Sequence, residues 1–295
     1  MTTIGFIGVG NMGGPMVRNL LKAGFTVRAF DMSAAALKAV TDAGAFAAKS
    51  VKEAASDADV VITMLPAGTH ARAVYLHDGV LAAAKKGTLL IDSSTIDMDS
   101  ARAVHGEAEK SGFDFLDAPV SGGVGGAEAA TLTFMCGGSD KAFARAEPIL
   151  QKMGKRVVLA GGAGAGQAAK ICNNMLLAIS MIGTCEAFVL AEKLGLDPQK
   201  LFDIASTSSG QCWSLTTYCP VPGPVPTAPS NRDYAGGFAT ALMLKDLKLA
   251  QSAAQSSGAN TPLGAEAAQL YSLFASKGHN NLDFSGIIRM LRGEL

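Results

Sequence analysis

Along the first half of the chain, short apolar runs alternate with longer amphipathic stretches. Ile4-Gly5-Phe6-Ile7 reads as a buried strand, the apolar spacing from Met12 to Ala23 predicts a helix closed by Gly24, and Val27 to Phe30 predicts a second strand. Strand, helix and strand in that order make a βαβ unit. Further strands are predicted at Val60 to Leu65, Leu89 to Asp92, Phe113 to Leu116, Leu132 to Met135 and Val157 to Leu159. Helices lie between them, one announced by Ser50 with Glu53 three residues on. Such alternation predicts a mostly parallel sheet with helices on both faces. The pattern changes at Gly161-Gly162-Ala163-Gly164-Ala165-Gly166, after which hardly a turn residue occurs until Gly195, so one long helix is predicted there and no strand beyond it. Asp197-Pro198 and Thr261-Pro262 each join a capping residue to a first-turn proline, and Cys219 to Pro229 reads as a long, stiff loop. The expected fold is an α/β Rossmann-type N-terminal domain, residues 1–163, followed by an all-α C-terminal domain, residues 164–295.

Composition narrows the functional classes. The 295 residues suit two domains, and 48% hydrophobic with 17% charged residues excludes a disordered chain. Lys plus Arg (25) balance Asp plus Glu (25), so no global field attracts nucleic acid or an anionic membrane, and an anionic ligand must be held by local groups. Met1-Thr2-Thr3-Ile4 leads into a strand without a basic leader, and no apolar run reads as a membrane span; the expected location is cytoplasmic. Cys136, Cys172, Cys185, Cys212 and Cys219 form no CxxC pair, and His70, His77, His105 and His279 are scattered. Buried free thiols are expected, with neither a disulfide framework nor a metal.

Gly8-Val9-Gly10-Asn11-Met12-Gly13 is a G-x-G-x-x-G turn between a strand and a helix. Gly8, Gly10 and Gly13 permit a tight turn and close approach to a pyrophosphate, which meets the unpaired N–H groups of the helix N-terminus. Eighteen residues on, Asp31 ends the second strand, where a carboxylate accepts from ribose hydroxyls and repels a 2′-phosphate, favouring NAD over NADP. The bland alternative is a ligand-free turn with Asp31 as a helix cap. Met64-Leu65-Pro66 and Asp92-Ser93-Ser94-Thr95 end later strands, so Leu65, Pro66 and Thr95 are expected to border the cofactor.

Asp117-Ala118-Pro119-Val120-Ser121-Gly122-Gly123 offers a hydroxyl and consecutive flexible N–H groups, a cradle suited to a carboxylate. Lys170 and Asn174 are four residues apart early in the long helix and share a face. A helix-borne lysine is commonly just a solvated charge, but the neighbours Ala168, Ala169, Ile171 and Cys172 are apolar.

The three ordered motifs, the glycine turn, Asp117 to Gly123, and Gly164-Ala165-Gly166 through Lys170 and Asn174, resemble those of the β-hydroxyacid dehydrogenases over essentially the whole chain. Ser208 to Ser214, Tyr218 to Gly223 and Leu244-Lys245-Asp246-Leu247 are similar to its hydroxyisobutyrate branch. The resemblance implies NAD-dependent oxidation of 3-hydroxyisobutyrate to methylmalonate semialdehyde, a step of valine breakdown. It implies Lys170 as catalytic residue with Asn174 beside it, Ser121, Gly122, Gly123 and Trp213 on the substrate, and Lys245 on the nicotinamide side. A lysine of ordinary pKa ~10.4 serves if desolvation and a nearby cation, such as Lys245, bring it toward ~7 to 8. One departure is Ala130, where the family usually has glycine; a left-handed turn there would be strained. Rival readings are a tartronate-semialdehyde-type reductase, a 6-phosphogluconate dehydrogenase, disfavoured by chain length and the lack of a basic cluster, and a non-catalytic NAD-binding module. Small residues Ala178, Ser180 and Gly183 on the long helix suit a homodimer or homotetramer.

Overall fold

The computed structural model of the chain describes residues 2–77 and 79–295; Met1 and Asp78, both in the range assigned to the first domain, lie outside them. The chain folds as two compact units, Met1–Lys170 and Ile171–Leu295.

The first unit is built on one nine-stranded sheet. Its strands are β1 (Thr3–Ile7), β2 (Thr26–Phe30), β3 (Phe46–Ala47), β4 (Val60–Thr63), β5 (Leu89–Asp92), β6 (Asp114–Asp117), β7 (Val120–Ser121), β8 (Leu132–Gly138) and β9 (Gly154–Gly161). The order is β3-β2-β1-β4-β5-β6-β8-β7, with β9 paired to β8. Strands β1 to β6 pair in parallel, whereas β8 runs antiparallel to β6 and β7 and parallel to β9. The first six follow the 3-2-1-4-5-6 order of doubly wound dinucleotide-binding sheets. Alternate strand residues feed two cores. Ile4, Phe6, Ile62 and Ile91 pack with Met16, Val17 and Leu20 of the helix Gly13–Lys22, and Ile7, Val61 and Leu90 pack with Ala54, Tyr75 and Val104 on the other face. Each predicted strand is present; β3 and β7, at two residues each, are too short to show a periodicity.

Local caps act as the sequence suggests. Ser50 Oγ accepts from Glu53 N–H at 3.1 Å, and Glu53 reaches back to Lys49 N–H. Asp197 accepts from Lys200 N–H ahead of the helix Pro198–Ala205. Thr261, by contrast, makes no cap bond; its hydroxyl engages the Gln251 side chain. Ala130 closes the short helix Gly123–Glu128 with φ +56°, Thr131 N–H returning to Gly126 C=O at 2.9 Å. This left-handed closure favours glycine. Ala130→Gly is therefore expected to stabilise the protein by about 0.5–1 kcal/mol, the relief of strain exceeding the added chain entropy. A urea midpoint equal to or below wild type would show the strain to be absorbed elsewhere.

The second unit is helical, and no β-strand follows β9 among the described residues. Ala178, Met181, Ile182, Cys185 and Phe188 of the helix Ala165–Lys193 meet Met243, Leu247, Tyr271, Phe274, Phe284 and Ile287 in its core. That helix corrects one expectation: by length and composition, with mean hydropathy 1.7, it is apolar enough to cross a membrane. It is apolar because it supplies one long stripe to a core, and its Lys170 and Asn174 are buried polar groups. The Pro-rich loop is held by Ser230 Oγ donating to Cys219 and Val221 C=O, and by Tyr234 OH donating to Pro220 C=O. All five thiols are free; Cys136, Cys185 and Cys219 are buried as expected, whereas Cys212 is half-buried and Cys172 exposed.

Candidate active site

In the first unit, the glycine turn sits at the switch point of the sheet, between the carboxyl ends of β1 and β4. Its three glycines do different work. Gly8 has φ +91°, and a Cβ there would lie 2.3 Å from Met64 C=O; a Cβ at Gly13 would lie 2.0 Å from Gly8 C=O. A Cβ at Gly10 would have nothing within 4 Å. The fold thus needs glycine at Gly8 and Gly13, while at Gly10 it leaves open space. The helix Gly13–Lys22 starts at Met12 without a side-chain cap or an acid in its first turn; Gly14 N–H turns back to Gly10 C=O at 2.8 Å, and the positive end of the helix dipole still favours an anion there. Asn11 and Met12 complete the turn. Asp31, one residue past β2, accepts from Val9 N–H through one carboxylate oxygen and from Ser33 N–H through the other, at 2.7 Å each. The carboxylate is thereby aimed by the glycine turn itself, with lone pairs left for hydroxyl donors.

The loops after β4 and β5 are tied together. Leu65 N–H donates to Ser94 Oγ at 2.7 Å, and Ser94 in turn bonds the buried Asp92 carboxylate, which also accepts from Thr63 Oγ1. Burial pushes the Asp92 carboxyl up, against those donors. Leu65 and Thr95 are half-buried and Pro66 is exposed. Ser121 ends β7, and Gly122 and Gly123 follow at φ +129° and +61°, conformations that side chains resist.

Lys170 is only 7% exposed. The helix that carries it is anchored by residues without an assigned role in the sequence reading. Asp117, at the end of β6, accepts from Gly164 N–H and Gln167 N–H at 2.8 Å each, capping the helix from 50 residues away. Burial pushes the Asp117 carboxyl up to about 6, and the neighbouring Asp92 adds to the rise. Gln167, fully buried, accepts from Ile96 N–H at 3.1 Å and donates to Ser94 C=O at 2.7 Å.

In the second unit, Asn174 donates to Asp246 at 2.5 Å and accepts from Asn173, and Lys245 Nζ lies 3.3 Å from the other Asp246 oxygen. Asp246 thus joins Asn174 and Lys245, two residues singled out from separate motifs. Its only sequence signal was its place beside Lys245. Trp213, 48% exposed, stacks on Tyr218 with centroids 4.8 Å apart, and Tyr218 stacks on Phe284. Tyr218 OH donates to the buried Asp283 at 2.8 Å, which fixes the stack.

A doubly wound sheet with an uncapped glycine turn at its switch point defines a dinucleotide-binding protein of the dehydrogenase class. Residues 3–162 match the family model described as the NAD binding domain of 6-phosphogluconate dehydrogenase. Residues 164–291 match the one described as NAD-binding of NADP-dependent 3-hydroxyisobutyrate dehydrogenase. The chain is 54% identical to a solved structure of the Mycobacterium tuberculosis 3-hydroxyisobutyrate dehydrogenase with L-serine, covering 99% of each chain, TM-score 0.95. It is 52% identical to the 3-hydroxyisobutyrate dehydrogenase of Pseudomonas aeruginosa, covering 100% of both. It is 49% identical to the NAD-dependent L-serine dehydrogenase of the same organism, covering 98% of both. The chain belongs to the 3-hydroxyisobutyrate dehydrogenase family. Its fold class is the one the alternation of strands and helices predicted, and its cofactor is the NAD expected from the glycine turn.

Proposed function

We propose that the chain oxidises 3-hydroxyisobutyrate to methylmalonate semialdehyde with NAD, and that Lys170 takes the hydroxyl proton. The observation that carries this reading is a lysine almost wholly buried on a helix whose first turn is anchored to the sheet. A buried ammonium in a dehydrogenase is a candidate for the proton-transfer group. NAD, when bound, accepts the hydride from the alcohol carbon. Gly8, Gly10, Asn11, Met12 and Gly13 would hold its pyrophosphate, Asp31 its ribose, and Leu65, Pro66 and Thr95 its flank. In this reading Lys170 removes the proton from the hydroxyl oxygen as the C–H bond breaks. Ser121, Gly122 and Gly123 hold the carboxylate. In residues 164–295, Asn174 orients the hydroxyl, Trp213 packs on the branched carbon, and Lys245 serves the nicotinamide side.

NADH formation followed at 340 nm over both enantiomers of 3-hydroxyisobutyrate, L-serine, 3-hydroxypropionate and glycerate tests the assignment. The highest kcat/KM is expected on one enantiomer of 3-hydroxyisobutyrate. A preference for glycerate overturns the substrate, and no NADH from any of them overturns the activity. The L-serine dehydrogenase among the relatives favours serine as the second substrate.

Asp31→Ser is expected to raise the NADP to NAD ratio of kcat/KM by about tenfold or more, since a charge-assisted hydrogen bond is worth about 1.5–3 kcal/mol. Wild-type preference for NADP would contradict the role given to Asp31.

A homodimer or homotetramer belongs to the same proposal: Ala178 is buried in the second unit's own core and Ser180 is half-buried, but Gly183 is exposed on the long helix together with Leu176, Ala187 and Leu190, at spacings of one helix face. Sedimentation velocity reads this directly. A cytoplasmic location belongs to the same proposal, and cell fractionation tests it.

A further inference from the structure

The buried amide of Gln167 stands at a crossing of two structures. Its side chain holds both polar groups of the loop after β5, accepting from Ile96 N–H and donating to Ser94 C=O. Its own backbone N–H is one of the donors to Asp117. The loop it holds contains Thr95, and three residues further along the helix stands Lys170. Residues three apart lie on neighbouring positions of one helix face. The helix start is also pressed on the sheet without room for side chains. A Cβ at Gly166 would lie 2.3 Å from Met135 C=O, and one at Gly137 would lie 2.6 Å from Gly166 N. The first turn can therefore neither slide along β6 and β8 nor lift from them without breaking several buried bonds.

We infer that Gln167, with Asp117, is a positioning residue for Lys170, one that fixes the lysine's helical turn in register with the cofactor-bordering loop 93–96. The inference rests on the reading of Lys170 as the proton acceptor. A caps-only role would need just the two backbone donors to Asp117; the side-chain amide of Gln167 adds a second tie, to the loop, that no cap requires. An amide suits the task because the loop presents one N–H and one C=O. A carboxylate would meet the carbonyl oxygen without a proton to donate.

The test uses the intact enzyme, with Lys170→Ala, Gln167→Leu, Gln167→Glu and the double variant Gln167→Leu/Lys170→Ala. Gln167→Leu is expected to lower kcat on the order of 10- to 100-fold, as small misplacements of a reacting group do, with KM and the Kd for NAD changed much less. In the Lys170→Ala background the same substitution should cost almost nothing, because the group it positions is gone. Gln167→Glu adds a rescue. The backbone N–H of this residue already serves the buried Asp117 carboxylate, and a side-chain carboxyl facing Ile96 N–H and Ser94 C=O again offers one donor and one acceptor when protonated. The ratio of its kcat to that of wild type should therefore climb as the pH falls. Equal losses from Gln167→Leu in both backgrounds, or a Gln167→Leu enzyme with wild-type kcat, overturn the inference while leaving the reading of Lys170 in place. Retention of most activity by Lys170→Ala alone overturns that reading first. If Gln167→Leu fails to fold, the pH-dependent ratio for Gln167→Glu decides, a flat ratio overturning the inference.

Discussion

Lys170→Ala is expected to lower kcat by on the order of 10² to 10⁴ while NAD binds as before, the usual loss when a general acid-base group is removed. The side chain is nearly fully buried, and its helix is fastened at the first turn, so the truncation leaves the surrounding backbone bonds to Asp117 untouched. Lys170→Arg should fail almost as badly, because a guanidinium stays charged at working pH and cannot accept the hydroxyl proton. The limb that the lysine contributes to the pH profile of kcat should be absent from both variants. Stopped-flow or steady-state NADH formation on 3-hydroxyisobutyrate, with NAD affinity measured separately by fluorescence titration, checks each part. An alanine variant that keeps most of its kcat at neutral pH would transfer the role to Lys245 or to a water chain.

The second large effect is expected at the glycine turn, where Gly13→Ala and Gly10→Ala should behave oppositely. At Gly13 the new methyl would fall 2.0 Å from the backbone oxygen of Gly8 and 3.0 Å from the Phe6 ring, so the helix Gly13–Lys22 must move away from β1. Overpacking of this kind costs about 1–3 kcal/mol or more, and the shift also withdraws the helix N–H groups from the pyrophosphate. Gly13→Ala should thus lower the urea midpoint and weaken NAD binding together, the latter by on the order of 10²-fold. Gly10→Ala meets open space and should keep the wild-type midpoint, yet still weaken NAD, because its methyl occupies room the cofactor needs. A Gly10→Ala protein with unaltered NAD affinity would show that the phosphates do not approach the turn there.

The alternation of strands and helices, the position and the glycines of the dinucleotide turn, Asp31 at the end of β2 and the Ser50 and Asp197 caps were all legible in the chain itself. Each is set by interactions within a few residues: the period of apolar positions, the φ a turn demands, the orphan N–H groups of a helix start. The strain at Ala130 was visible only through the glycine the resembling family usually has there, and the φ of +56° that makes it a left-handed closure came from the structure. What supports the candidate site lay beyond that reach. Asp117 caps the Lys170 helix across 50 residues, Gln167 binds a loop across more than 70, and Asp246 holds Asn174 across 72. Nothing local distinguishes these three from ordinary solvated polar residues. They became partners because folding removed them from water, where an unpaired polar group costs far more than at the surface, and only the tertiary arrangement decides which donor each buried acceptor will meet.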